Sequence, residues 1–266
     1  MNPVVTVVMA LYNKADYIEE TLDTLVRQTF QEWEAIVVDD ASTDESPAIV
    51  ERYAQREPRI RLYRQSHGGP SAARNFGMHI SNNAKYIFPL DCDDLIEPTY
   101  IEKAVAYMEA YPDTTLVYSK ADMFGRHHGA YHAYYTDYKQ LLLSNSIFVT
   151  ALFRREDALA IGGYDENFKI AIEDWDFFIR LLYHHDNVHQ LDEVLFHYRR
   201  ISQSRSKSKL RQTSEPETML FKKHIDKYIE YFGNPLLIYN DAKWRKKYYN
   251  IWYKKLFYSL WKKSKR

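Results

Sequence analysis

The sequence has a single cysteine, Cys92, among 266 residues, so no disulfide can form within the chain, which suits a reducing compartment. It also lacks any apolar run near the roughly 18 to 20 residues that cross a bilayer. The opening MNPVVTVVMALYNKADY has neither the basic flank nor the small-residue cleavage site of an export signal, so a soluble, cytoplasmic protein is expected. After the first apolar run there is no GxGxxG and no GxxxxGK(S/T), which leaves dinucleotide-fold and P-loop readings without support. Net charge is absent as well, with 36 basic and 36 acidic residues. The balance is uneven, however: residues 242–266 hold ten Lys or Arg and no acid, leaving 26 basic against 36 acidic side chains in 1–241. An acidic body argues against nucleic acid as a partner.

What is present is a globular composition, 45% hydrophobic and 27% charged, long enough for one large domain or a domain with an appendage. Residues 4–10, 33–40, 59–64 and 85–91 read as short strands rich in β-branched and aromatic residues. Helical spacing separates them at 15–28, 44–56 and 70–81, the alternation of a mostly parallel sheet buried on both faces. Further on, 116–124, 147–155 and 188–200 read as strands, GGYDENF (162–168) as a turn, and 173–185 as a helix. From Ser202 the chain turns polar and Ser/Lys-rich, a loop or linker before a helical tail. The expected division is a catalytic domain over 1–205 and a C-terminal region over 206–266.

In such sheets ligands sit beyond the carboxyl ends of the strands. Tyr12, Asp39, Asp40, Asp91 and Asp93 all fall there. The apolar run YIFPL (86–90) stops on DCDD (91–94), and crowded acids repel unless solvent or a cation relieves them. A hard divalent cation suits such a group of carboxylates, whereas Cys92, a soft ligand among hard ones, is a poor metal partner. Tyr12 offers a ring face for a base and Asp40 an acceptor for an imide N–H. In EDWDFF (173–178), Asp174 lies at helical spacing from Phe177 and Phe178, surroundings that tune a carboxylate toward general-base work.

Six stretches, VVMALYNKADYIEETLDTLVRQTF, AIVVDDASTDES, GGPSAARNFG, PLDCDD, GGYDENF and EDWDFFIRL, occur in the order found in the family 2 glycosyltransferases, which the chain resembles over about residues 4 to 200. The resemblance implies a GT-A fold, that is, a Rossmann-like α/β domain with a mostly parallel central sheet and flanking helices, here followed by a C-terminal helical tail. It implies an inverting enzyme that transfers one sugar from a nucleotide-diphosphate donor, UDP-linked on this reading, to a hydroxyl of a glycan or lipid-linked acceptor in bacterial envelope glycan assembly such as lipopolysaccharide or capsule. DCDD then matches the family's D-x-D signature, with Asp91 toward the ribose, Asp93 on Mn²⁺ or Mg²⁺, and Asp94 supporting the turn. Ala10, Tyr12, Asp40 and Arg74 would hold the nucleotide, with Asn75 orienting the site. Asp174 would be the base, with Glu173 beside it. His197 would supply a third metal ligand, and Arg199, Arg200 or Arg205 would close over the diphosphate. The chain has no Q-x-x-R-W motif of processive synthases. A sugar nucleotidyltransferase would carry a Gly-rich basic signature after the first strand, which MALYNKADY is not; a catalytically silent glycan-binding module is the other alternative.

In the tail, 100° spacing gathers Tyr248, Tyr249, Trp252, Tyr253, Leu256, Phe257 and Leu260 on one face and most of Lys246, Lys247, Lys254, Lys255 and Lys262 on the other. That is the composition of an in-plane helix on an anionic inner-membrane leaflet, and packing on a second subunit is the competing use of the same stripe.

Overall fold

The computed structural model describes residues 3–81, 84–168, 172–201 and 215–233. The basic stripe of 244–261 and Arg205 lie outside these residues. The chain divides into two compact units, Met1–Pro216 and Glu217–Arg266.

The first unit opens with β1 (Val5–Leu11), α1 (Ile18–Val26), β2 (Trp33–Asp39), α2 (Ser46–Arg56), β3 (Ile60–Arg64), α3 (Pro70–Ile80) and β4 (Tyr86–Pro89). Strands β3, β2, β1 and β4 lie side by side and parallel, with Leu11 opposite Asp39 and Val8 opposite Pro89. The alternation in β1 and β2 sorts side chains between two buried faces. Val5, Val7, Met9, Ala35 and Val37 pack with Ile18, Leu22 and Leu25 of α1, while Ile36 and Val38 meet Ala73 of α3. Burial on both faces explains why these strands are almost uninterruptedly apolar. On the α3 side the approach is close. A Cβ on Gly77 would stand 2.6 Å from Val8 Cγ1, a β-branched atom with no room to turn.

Beyond β4 the order is β5 (Leu95–Ile96), α4 (Tyr100–Ala110), β6 (Leu116–Gly125), β7 (Gly129–Tyr131), α5 (Tyr138–Leu143), β8 (Leu152–Arg154), α6 (Arg155–Ala160), α7 (Glu173–Leu181) and β9 (Val188–Arg200). β8 runs antiparallel between β4 and β6, β6 pairs parallel with β9, and β5 and β7 close the far edge antiparallel to β9 and β6. The expected strand over 147–155 shrinks to Leu152–Arg154, because Arg155 opens α6 with Glu156 and Asp157 in its first turn, where the helix dipole favours acids. Helix α4, to which the sequence analysis assigned nothing, buries Tyr100, Ile101, Ala104, Val105 and Met108, an amphipathic spacing. Helix α7 stops at Leu181, short of the expected 185, and His184 takes a left-handed φ of 61°.

The second unit holds most of α8 (Glu215–Lys223), and α9 (Ile225–Phe232), where Tyr228 packs on Phe221 and Phe232 while Ile225 and Ile229 stay exposed. No helix among the described residues is long and apolar enough to cross a membrane.

Candidate active site at the carboxyl edge of the sheet

The turns after β1, β2 and β3 enclose a cleft of about 280 Å³ lined by Ala10, Tyr12, Asp40, the loop His67–Ser71, Glu166 and Phe168. Three expected nucleotide-side residues, Ala10, Tyr12 and Asp40, therefore share one pocket. Tyr12 is 45% exposed, and its ring lies 4.7 Å from that of His67, so a planar group has an aromatic wall to meet. Asp40 is buried, and its carboxylate accepts from Gly68 N at 2.7 Å, Gly69 N at 2.9 Å and Gln65 Nε2 at 2.8 Å. His67 Nδ1 stands 2.9 Å from its Oδ2. Within this unit Asp40 thus folds the glycine loop against the pocket, a task the sequence analysis did not assign to it.

The acid turn follows β4. Ligand atoms of Asp91, Asp93 and Asp94 lie within 4.8 Å of one another. Each acid has its own partner. Arg74 donates to Asp91 Oδ1 at 2.7 Å, Lys14 pairs with Asp93 Oδ2, and Asp94 Oδ1 accepts the backbone N–H of Arg199 at 2.8 Å. Asp94 is buried, and burial first, then Asp93 and Asp91, push its carboxyl well above the usual carboxylate range. It holds the turn against β9, the supporting role expected of it. Cys92 is buried with Sγ toward Ala10 O at 3.3 Å, and burial beside two acids raises its thiol, so a thiolate ligand is disfavoured. Oxygen donors this close suit Mg²⁺ or Mn²⁺, and the residues therefore fit such an ion.

Lys14 itself is set by the β1–α1 turn. Lys14 N donates to Ser46 Oγ at 2.7 Å, Ala15 N to Asp44 Oδ2 at 2.9 Å and Thr43 N to Asn13 Oδ1 at 2.8 Å, and Asn13 supplies the left-handed φ of 51° that the turn needs. Burial works to lower the Lys14 ammonium's pKa, but Asp93 outweighs it and the group stays raised, hence charged.

On the other side of the turn, Arg74 is buried and bridges two carboxylates, Asp91 and, at 3.1 Å, Glu173 Oε1 at the start of α7. Arg74, expected to hold the nucleotide, forms an internal clamp between the acid turn and α7. Its neighbour Asn75 ties α3 to residues 164 and 166. Its amide donates to Tyr164 O and Glu166 Oε1 and accepts from Tyr164 N at 2.7 Å. Gly163 fits over it at φ 69°, where a Cβ would stand 2.4 Å from Asn75 Oδ1.

Asp174 receives Asn145 Nδ2 at 3.1 Å and Trp175 N at 2.8 Å. Burial, then the adjacent Glu173, raise its carboxyl to about 7 against the pull of Arg74, which is where a general base works best at neutral pH. The helix start is anchored to α5 by Trp175 Nε1 on Leu141 O at 2.6 Å, and Ile172, which caps it, holds a left-handed φ of 63°, a strained setting for a β-branched residue.

His197 departs from expectation. It sits apart from the three clustered acids, with Nδ1 2.6 Å from Asp122 Oδ1 and Nε2 2.9 Å from Glu97 Oε1. Burial opposes it, but the two carboxylates raise its pKa, and both ring nitrogens are already within hydrogen-bond reach of carboxylate oxygens other than those of the acid turn. Arg199 is likewise engaged, through Nε to Asp93 O at 2.7 Å and through Nη2 to Glu20 Oε2 at 2.5 Å, with its guanidinium 4.2 Å from the Phe124 ring centre. Arg200 lies 5.3 Å from the Tyr198 ring. Lys14, His67, Asn145, Glu166 and Phe168 were not singled out from the sequence. Lys14 stood inside a quoted motif, whereas Asn145 had no local signal.

The family model for Glycosyl transferase family 2 matches residues 6–161. TuaG of Bacillus subtilis, provisionally named a teichuronic acid biosynthesis glycosyltransferase, is 35% identical over 107 residues, 40% of this chain and 42% of that protein. The chain spans less than half the length of the curated relatives it matches, 22% and 30% of two others. Residues 1–349 of S. aureus TarS, solved in complex with UDP, superpose with a TM-score of 0.67 at 20% identity over 82% of this chain and 63% of that one. The mannosyltransferase PcManGT of Pyrobaculum calidifontis, solved with GDP-Man and Mn²⁺, superposes with a TM-score of 0.64 at 22% identity over 85% of this chain and 65% of that one. The shared architecture is the GT-A fold. With six ordered motifs, strand-end acids on a mostly parallel sheet and a family match across more than half of its length, the chain belongs to glycosyltransferase family 2.

Proposed function

We propose that the chain transfers a single sugar from a nucleotide-diphosphate donor, UDP-linked, to a hydroxyl of a glycan or lipid-linked acceptor, with inversion. Envelope glycan assembly is the setting, a reading supported by the name of the B. subtilis relative. One observation carries the proposal. Arg74 ties Asp91, on the turn after β4, to Glu173, the neighbour of a carboxyl poised near pH 7.

On this reading the base of the donor lies in the Ala10, Tyr12 and Asp40 pocket against Tyr12, with His67 backing the ring. Asp91 faces the ribose. Asp93 would hold Mn²⁺ or Mg²⁺, and when bound the ion supplies positive charge to a diphosphate leaving group. Asn75 and Gly163 fix the 163–166 loop at the pocket's rim. Asp174, aimed by Asn145 and Trp175 N, takes the proton of the attacking hydroxyl, and Glu173 and Arg74 hold that helix start in place. In-line displacement by a single base needs no covalent intermediate, which is why inversion fits.

Donor turnover with Mn²⁺ tests this, comparing wild type with Asp93→Ala and Asp174→Asn. Nucleotide release that depends on metal in wild type, and falls by roughly 10²-fold or more in both variants, is expected. Metal-independent release equal in all three, or none in any, sinks the proposal. The basic stripe of 242–266 would bring the enzyme to the inner leaflet. Truncation at residue 241 should abolish flotation with anionic liposomes, and equal flotation removes that part.

A further inference from the structure

We infer that Lys14 is a tethered counter-ion of the acid turn: it holds Asp93 while no donor is bound and yields that carboxylate to a divalent cation, so ammonium and metal compete for one site. The inference rests on the proposed role of Asp93 as the metal-holding residue.

The three acids are not held alike. Asp91 is fixed by Arg74, a buried guanidinium whose planar fork already serves two carboxylates and which cannot move without uncovering Glu173. Asp94 is fixed by a backbone N–H of β9, which cannot move at all without the strand. Asp93 alone among them is held by an ammonium on a flexible four-carbon stem, with side-chain exposures of 24% for Lys14 and 16% for Asp93. The stem has rotatable bonds that a guanidinium fork shared by two acids cannot use, but its root is fixed. Lys14 N on Ser46, Asn13 on Thr43 and Ala15 N on Asp44 pin the turn at consecutive residues, so the ammonium returns to the same place.

The energetics favour exchange. The pair is partly buried but keeps some contact with water, so a dication can reach it, and a lysine is a point charge that binds phosphate oxygens as readily as a carboxylate. A dication arriving alone must displace Lys14 and leave it without an acid. Arriving with a diphosphate, it brings the acceptor atoms that the displaced ammonium needs. Metal and donor therefore bind cooperatively, and by linkage each tightens the other by the same factor.

Mn²⁺ titration of the full chain by electron paramagnetic resonance, with and without UDP, reads this directly. In Lys14→Met, Mn²⁺ alone should bind roughly tenfold tighter than in wild type, the factor that answers to about 1.4 kcal/mol, and the extra tightening given by UDP should shrink by a similar factor. Lys14→Arg, which keeps the charge, should stay close to wild type, and Lys14→Gln replaces the Met variant should that one melt early. Unchanged or weaker Mn²⁺ binding in the neutral variants overturns the inference, as does equal tightening in Lys14→Arg, which would assign the effect to lost packing. Asp93→Asn separates the layers. If it binds Mn²⁺ like wild type, the metal reading of Asp93 falls; if it loses Mn²⁺ while Lys14→Met matches wild type, only the role of Lys14 falls.

Discussion

The two sides of the site are built differently. The proposed donor side is made of turns that follow consecutive parallel strands, and its side chains are held by backbone amides of the next turn along, as Asp40 is by Gly68 and Gly69. The proposed acceptor side is made of contacts between segments distant in sequence: Asn145 reaches Asp174, and Trp175 reaches Leu141. A strand-end turn comes almost free with the sheet, whereas the second kind of site depends on several independent elements arriving together. The donor side should therefore be the more robust of the two. Arg74 is the joint between them.

Arg74→Met strikes that joint and should have the largest effect. It leaves Asp91 and the buried Glu173 without their shared counter-charge, which costs about 3 to 5 kcal/mol for a buried pair stripped of one partner. Urea unfolding should show this loss. UDP binding should outlast catalysis in Arg74→Lys, which keeps the charge and loses the bridge. Equal losses of both would show the two halves to be a single unit and break the comparison.

Gly163→Ala probes the 163–166 loop at the rim of the donor pocket without touching a charge. The left-handed φ of 69° and a Cβ 2.4 Å from Asn75 Oδ1 together require the loop to shift, at a cost of about 1 to 3 kcal/mol. Because Glu166 and Phe168 beyond it line the donor pocket, UDP affinity by calorimetry should fall along with turnover, and UDP affinity unchanged at wild type would separate this loop from the donor side.

Asp174 sharpens the comparison through pH. Its folded carboxyl is raised from 3.8 to about 7, so between those values the native state binds the proton that the unfolded chain has released. Stability from this group is present at low pH and is lost as pH rises toward 7, the reverse of an ion-paired acid. Activity runs the other way, because a base must be ionised, and kcat/KM should rise with pH on a limb centred near 7. Asp174→Asn should flatten the stability limb and abolish the activity limb. A limb centred near 4 would mean that Asp174 is not the base.

Sequence patterning exposed the first half of the fold because β1 to β4 are apolar on both faces and α1 to α3 carry a clear stripe. The same patterning marked Tyr12, Asp40, Asp91 and Asp93, which need only be placed at a strand's end. It did not reveal α4, although Tyr100, Ile101, Ala104, Val105 and Met108 carry the spacing, nor α5, whose start is marked by Asp137 accepting from Gln140 N. Asn145 and Lys14 escaped for another reason. What each does depends on a partner 29 or 79 residues away, and nothing local in the chain states that pairing. Arg74 was found, but its direction was not, since a motif arginine reads the same whether it faces ligand or core.

The smallest effect belongs to His197, which the sequence suggested as a ligand and the structure places in a strut. It joins Glu97, just after β5, to Asp122 of β6 from its own position on β9, where it lies opposite Leu95. Its pKa is raised from 6.5, so the stabilisation is fully present below 6.5 and fades as pH climbs through the higher folded value. Both carboxylates are 41% or more exposed, so the strut is worth about 1 kcal/mol or less. His197→Gln should thus lower stability slightly at pH 6, converge on wild type at pH 9, and leave Mn²⁺ affinity where it was. A tenfold loss of Mn²⁺ binding in this variant would instead return His197 to the metal site. It would require the imidazole to abandon both acids, and would make the far edge of the sheet part of the donor side after all.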